Sequence, residues 1–195
     1  MINIQGIGIA EFEKFIEGFP HVAEKAAQLA INQTADRAVR TTLKKEMLRQ
    51  VAFPTGYLTK QRLGIKRHAT SHRLEAIVAG RDRPTSLARF VVGGESSLRA
   101  RKKGNIRVRV KPGTQKPMRK AFGVRLRNGN MGLAVRAPKG IYNSYTDGVK
   151  LDRDVYLLYG PSVDQVMSDV ALKTMPDTGR FLQNEFMRQL KRLNK

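Results

Sequence analysis

His68 and His72 stand four residues apart with Glu75 following, a spacing that would put metal ligands on one face if the segment were helical. The His-Glu-x-x-His arrangement of a zinc site is missing, and the surrounding residues read half as strand, so both are expected as surface histidines. His21 flanks a helix start with no partner in view. Ser162 follows Gly160-Pro161 much as a nucleophile-elbow serine follows its turn, but the Gly-x-Ser-x-Gly pattern is absent and no histidine lies near it in sequence. A helix cap is its expected role. Gly6-Ile7-Gly8 lacks the spacing and the Lys-Ser/Thr of a phosphate loop. No paired carboxylates stand out in the middle of the chain, and with no cysteine there is neither disulfide nor thiolate metal site. No catalytic, cofactor-binding or metal-ligating residue is therefore expected, and the chain reads as a non-enzyme.

What remains is charge. Against 16 acidic residues the chain carries 37 Lys and Arg, for a formal net charge of +21. Between Gly56 and Gly140 there are 22 basic residues and only three acids, Glu75, Asp82 and Glu95, so nearly all the excess sits in the middle. An ordinary solvated surface intersperses both signs. The clusters Arg81-Asp82-Arg83, Arg99, Arg101, Lys102 and Lys103, and Arg107, Arg109 and Lys111 therefore point to an anionic partner. No aromatic pairs flank them for base stacking, and no DNA-reading motif is present.

The elements that must position these residues belong to one domain spanning 1–195, whose 41% hydrophobic content is enough for a core. The absence of a secretory signal or an 18-residue apolar run reads as a soluble intracellular protein with no membrane partner. Phe12, Phe15, Ile16 and Phe19 share one face of a short amphipathic helix. From about 21 to 52 the chain lacks Pro and Gly, predicting a helix of about 30 residues, roughly 45 Å, part of which overhangs and meets another subunit. Its stripe, from Leu29 and Ala30 to Met47 and Val51, drifts around the axis.

Tyr57 to Lys66 fits a short helix or a strand. Strands are expected at Leu74 to Ala79, Leu87 to Val92, Ile106 to Lys111, Ala121 to Leu126 and Gly132 to Arg136, linked by Gly- and Pro-bearing turns as an antiparallel meander. Ile106, Val108 and Val110 alternate with Arg107, Arg109 and Lys111, giving one apolar and one basic face. The polar run Glu95 to Asn105 is expected as a mobile basic arm, about 94–105. Val155 to Tyr159 reads as a buried strand, ended by Gly160-Pro161. Ser162 with Gln165 makes a capping box for the helix that follows. Met175 to Gly179 should interrupt that helix, leaving Phe181 or Leu182, Phe186, Leu190 and Leu193 to form a second one. The fold class is α+β: an antiparallel sheet, meander or sandwich-like, packed by a long N-terminal helix and two C-terminal helices.

Several of these blocks resemble the minor tail protein Z family of tailed bacteriophages, also described as tail completion or neck proteins. They are Ala30-Ile31-Asn32-Gln33-Thr34-Ala35, Gly80-Arg81-Asp82-Arg83-Pro84 leading into Ser86 to Phe90, the basic strands, Leu158-Tyr159-Gly160-Pro161-Ser162-Val163, and the basic amphipathic end from Leu182 to Leu193. The resemblance spans most of the chain from about Ala30 onward. It implies a non-enzymatic virion protein, assembled in the host cytoplasm. Its partners would be copies of itself in a ring, commonly sixfold, with the head connector or adaptor and the tail terminator or tail tube. Viral DNA in the neck is a further candidate contact. The basic face is expected to meet acidic surfaces of adjoining ring proteins, because a channel that must release DNA quickly is poorly served by many phosphate contacts. The rival function is a nucleic-acid-binding protein that uses the same face directly.

Overall fold

A computed structural model of the chain describes residues 20–99, 106–136, 149–152 and 154–194. The expected amphipathic helix at Phe12 to Phe19 lies outside them, as does the 100–105 part of the expected arm.

Ala-rich sequence without helix breakers produces the first element. Helix α1 (Pro20–Arg37) continues through a π-helical segment (Ala38–Leu43) into α2 (Lys44–Gln50) without leaving helical geometry, so the expected long helix is one rod. The π segment answers the drift of the apolar stripe. Ala35 and Ala38 are buried, and the next buried residue is Leu43, five positions on, followed by Met47. One wide i→i+5 turn returns Leu43 and Met47 to the core face that ordinary α-helical twist would have carried them past.

The other long helix, α4 (Val163–Leu193), runs antiparallel to α1. Ala23 and Ala26 meet Leu190 near its end, and the Arg37 guanidinium lies 4.3 Å above the Phe181 ring further back. The expected overhang is thus a two-helix pair. The expected break at Met175 to Gly179 is absent: Pro176 sits inside one continuous 31-residue helix, so there is a single C-terminal helix, not two. Pro176 removes the bond to the Leu172 carbonyl, but Leu172 is 76% exposed, so water can serve that carbonyl. On the inner side Val170 and Thr174 are buried and anchor the helix to the core just before the breaker. The Thr174 hydroxyl also donates back to Val170 and Ala171, and that of Thr178 to Thr174.

Between the helices lie four small antiparallel sheets in place of the expected single meander. Strand β1 (Leu63–Arg67), from the ambiguous Tyr57 to Lys66 segment, pairs with β2 (Ile77–Gly80). Next come β3 (Thr85–Ser86) and a short 3-10 turn (Leu87–Phe90), where a strand was expected. Leu87, Ala88 and Phe90 are all buried while Arg89 is exposed, a pattern that a strand with one solvent face does not give. Helix α3 (Gly94–Arg99) occupies the first half of the expected arm, and its Leu98 is 1% exposed. Strand β4 (Arg107–Val108) pairs with β5 (Lys116–Pro117).

The largest sheet has the order β6-β7-β9-β8, from β6 (Ala121–Arg125), β7 (Met131–Arg136), β8 (Val149–Asp152) and β9 (Val155–Leu157). Leu158 then leaves that sheet, and β10 (Tyr159–Gly160) pairs with β3 instead. The expected Val155 to Tyr159 strand is therefore shared between two sheets.

One main core joins these layers, with Met47, Leu63, Leu98, Leu133, Val163 and Val170 fully buried in it. Each such side chain contributes about 1.5 to 3 kcal/mol by leaving water. Two glycines set the closest approaches. A Cβ on Gly80 would lie 2.6 Å from the Asp164 backbone, so β2 runs directly against the first turn of α4. A Cβ on Gly123 would lie 2.5 Å from the Leu98 carbonyl oxygen, where α3 crosses β6.

Candidate functional site

The Ile106–Lys111 segment alternates as its residue types require. Ile106 and Val108 are buried in the main core, Val110 is half-buried against it, and Arg107, Arg109 and Lys111 are exposed. Backbone bonds hold the segment on both edges. On one side Val92 N–H donates to the Arg107 carbonyl at 2.9 Å and Arg109 N–H to Phe90 at 2.8 Å. On the other, Met118 N–H donates to Ile106 at 2.7 Å, and at the end of the segment Ala52 N–H donates to Val110 at 2.7 Å. The basic side chains therefore project from a rigid support.

Among the described residues their charge is not neutralised locally. Among the described residues no carboxylate lies within ion-pair distance of Arg107, Arg109 or Lys111. Residues two apart on a strand face are about 6.6 Å apart, where like charges in water repel by roughly 0.6 kcal/mol. Lys116, opposite Val108 on β5, adds another exposed cation. An anion between these groups would remove the repulsion.

The remaining basic candidates are placed differently. Arg99 ends α3 and pairs with Glu95 at 2.7 Å, an exposed contact that contributes little. Arg101, Lys102 and Lys103 lie outside the described residues. Arg81 and Arg83 line a groove that does not include the Arg107 segment. The Arg81 backbone is held at both ends, its N–H donating to Arg62 at 2.8 Å and its carbonyl accepting from Asp164 N–H at 3.1 Å.

The corner at Gly160, Pro161 and Ser162 is built as an architectural joint. Ser162 is 1% exposed, its hydroxyl oxygen accepts from Gln165 N–H at 3.0 Å, and the Gln165 carboxamide oxygen accepts from Ser162 N–H at 2.9 Å. This is the capping box expected from the sequence, and it engages the hydroxyl that a nucleophile would need free. Gly160 pairs with Thr85 and packs on Phe90, while Pro161 sits just before the helix, where no N–H is missed.

Two polar features carried no recognisable sequence signal. The Asn32 carboxamide donates to the Ala69 carbonyl at 3.0 Å and accepts from Ala69 N–H at 2.8 Å, clasping the loop after β1 to α1. Glu185 is buried on α4 and receives two bonds from Arg188, at 2.8 and 2.9 Å, and one from Gln189 at 2.6 Å. The Arg188 hydrogen bonds hold its carboxyl below the ordinary range against the opposing effect of burial. Arg188 also reaches Gln33 of α1 at 3.0 Å, which ties the two long helices together.

His68 and His72 are exposed, and among the described residues no three His, Asp or Glu side chains converge where they could hold a metal ion. No helix among them is long and apolar enough to cross a membrane. Compared with family models, curated proteins and solved structures, the chain finds no match.

Proposed function

We propose that this chain is a structural, non-catalytic component of a tailed-phage neck or tail, a tail completion protein that joins a ring of its own copies to the adjoining connector and terminator proteins. Arg107, Arg109 and Lys111 would dock it on their acidic surfaces. The observation that carries this reading is the exposed basic row, without an ion-pair partner among the described residues, on an extended segment bonded along both edges and backed by the main core. A rigid charged row can orient a large partner during encounter, and long-range complementarity speeds docking. The family resemblance of the Leu158 to Val163 corner, the Gly80 to Pro84 turn and the α1 block supplies the phage setting.

One observation favours a protein over a nucleic acid as the partner. Every described aromatic residue is buried or half-buried, so among the described residues no exposed ring lies beside the basic row for bases to stack on. The test is head-to-tail joining by a variant with Arg107→Glu and Arg109→Glu. It should remain folded and fail to join. Normal joining with defective DNA retention or ejection would put the row in the DNA channel and overturn the choice of partner.

A further inference from the structure

Tyr57 organises a second basic surface. It is 6% exposed, its ring stacks on Phe53 with centroids 5.5 Å apart and planes 9° from parallel, and its hydroxyl bonds to the Thr85 hydroxyl at 3.2 Å. Arg62 lies over this fixed ring at 4.1 Å and donates to the Tyr57 carbonyl at 2.8 Å, while Arg89 approaches the same ring at 5.6 Å. Arg81 and Arg83 complete a groove of about 380 Å³ between the Arg81–Pro84 turn and the Asn128–Asn130 turn. Four arginines thus line one concavity. Its one acidic lining residue, Glu95, is already bonded to Arg99.

We propose that this groove is a docking site for an acidic peptide segment of a partner protein, with Asp or Glu side chains held by Arg62, Arg81, Arg83 and Arg89. All four cations are arginines, whose planar forks match carboxylates in pairs; the Arg62 guanidinium is held over the Tyr57 ring and the Arg81 backbone is fixed at both ends. The rest of the lining is partly apolar, including Leu126, Met131 and Leu157, which suits the side chains between acidic residues. Tyr57 cannot act as a base-stacking platform, because its ring, hydroxyl and carbonyl are all engaged. The groove is distinct from the Arg107 row, so the inference is independent of the proposed neck role.

The experiment compares two charge-matched double variants by fluorescence anisotropy with fluorescein-labelled hexaglutamate, at about 0.15 M salt to suppress diffuse attraction. Arg81→Ala with Arg83→Ala removes two groove cations, and Lys45→Ala with Lys173→Ala removes two exposed cations outside both the groove and the Arg107 row. The groove variant should bind at least about tenfold more weakly than wild type, and the control within about twofold. Arg83→Ala with Arg89→Ala, both exposed positions, replaces the first pair if thermal unfolding shows that pair to be damaged. Equal weakening by the groove and control variants would reduce the effect to diffuse charge and overturn the proposal. So would an absence of saturable binding in the wild type, or an equal loss for labelled hexathymidylate, which would make the groove a phosphate site. None of these outcomes bears on head-to-tail joining.

Discussion

Ser162→Ala removes the side-chain acceptor at the joint between β10 and α4 and leaves the backbone path unchanged. Gln165 N–H then has no acceptor, while Ser162 N–H keeps the Gln165 carboxamide oxygen. Loss of an N-cap costs about 1 kcal/mol, and up to about 2 kcal/mol at well-formed caps. The upper half of that range applies here, because Ser162 is 1% exposed and water reaches the orphaned donor poorly. For a chain of this size 1 kcal/mol lowers Tm by about 2 to 4 °C, so a fall of roughly 3 to 8 °C is expected in calorimetry. Gln165→Ala should cost less, since Gln165 is exposed and its own N–H keeps the Ser162 hydroxyl. Head-to-tail joining should be unaffected by Ser162→Ala below the transition. A variant with unchanged Tm that failed to join would refute the architectural role and make the hydroxyl an interface group.

Leu98→Ala should destabilise by about 2 to 5 kcal/mol in urea titration, because the side chain is fully enclosed; a near-zero effect would mean that α3 is not docked in solution. Gly80→Ala should cost at least about 1 to 3 kcal/mol, since the new methyl would press on the Asp164 backbone, and an unchanged urea midpoint would show that β2 does not approach α4 so closely. Glu185 has a lowered carboxyl pKa when folded, so its stabilising effect is complete above the ordinary value of 4.5 and drains away as pH falls through the lowered one. Glu185→Gln should therefore lose less Tm than the wild type on acidification from pH near 6 to below 4, and parallel losses would count against the Arg188 contact as the cause.

Local signals were legible in the sequence and non-local ones were not. Gly160-Pro161-Ser162 with Gln165 could be read because every partner in the capping box lies within five residues. The α1–α2 rod was legible for the same reason, but its π segment was not, because a five-residue spacing from Ala38 to Leu43 looks like drift until the core face is known. Pro176 misled because its effect depends on which side of α4 it faces. Leu98 was hidden as the lone large apolar residue in a charged run, and only its contact with Gly123 shows that it anchors a helix. The division of β9 and β10 between two sheets turns on Thr85 and Ser86, more than seventy residues upstream. The Arg107, Arg109 and Lys111 row followed directly from alternation, whereas the Arg62 and Arg89 sides of the Tyr57 groove are separated in sequence from Arg81 and Arg83 by intervening strands and turns.

The central claim is that the basic row meets carboxylates of a neighbouring virion protein, and carbodiimide coupling of purified tailed particles tests it most directly. The reagent joins an amine to a carboxylate only when the two are already in ion-pair contact, and Lys111 has no such partner among the described residues of its own chain. The account predicts, by mass spectrometry, a link from Lys111 to an Asp or Glu of an adjoining ring protein. Particles that lack the chain, or a Lys111 that couples to no protein and is captured by formaldehyde on DNA, would contradict it.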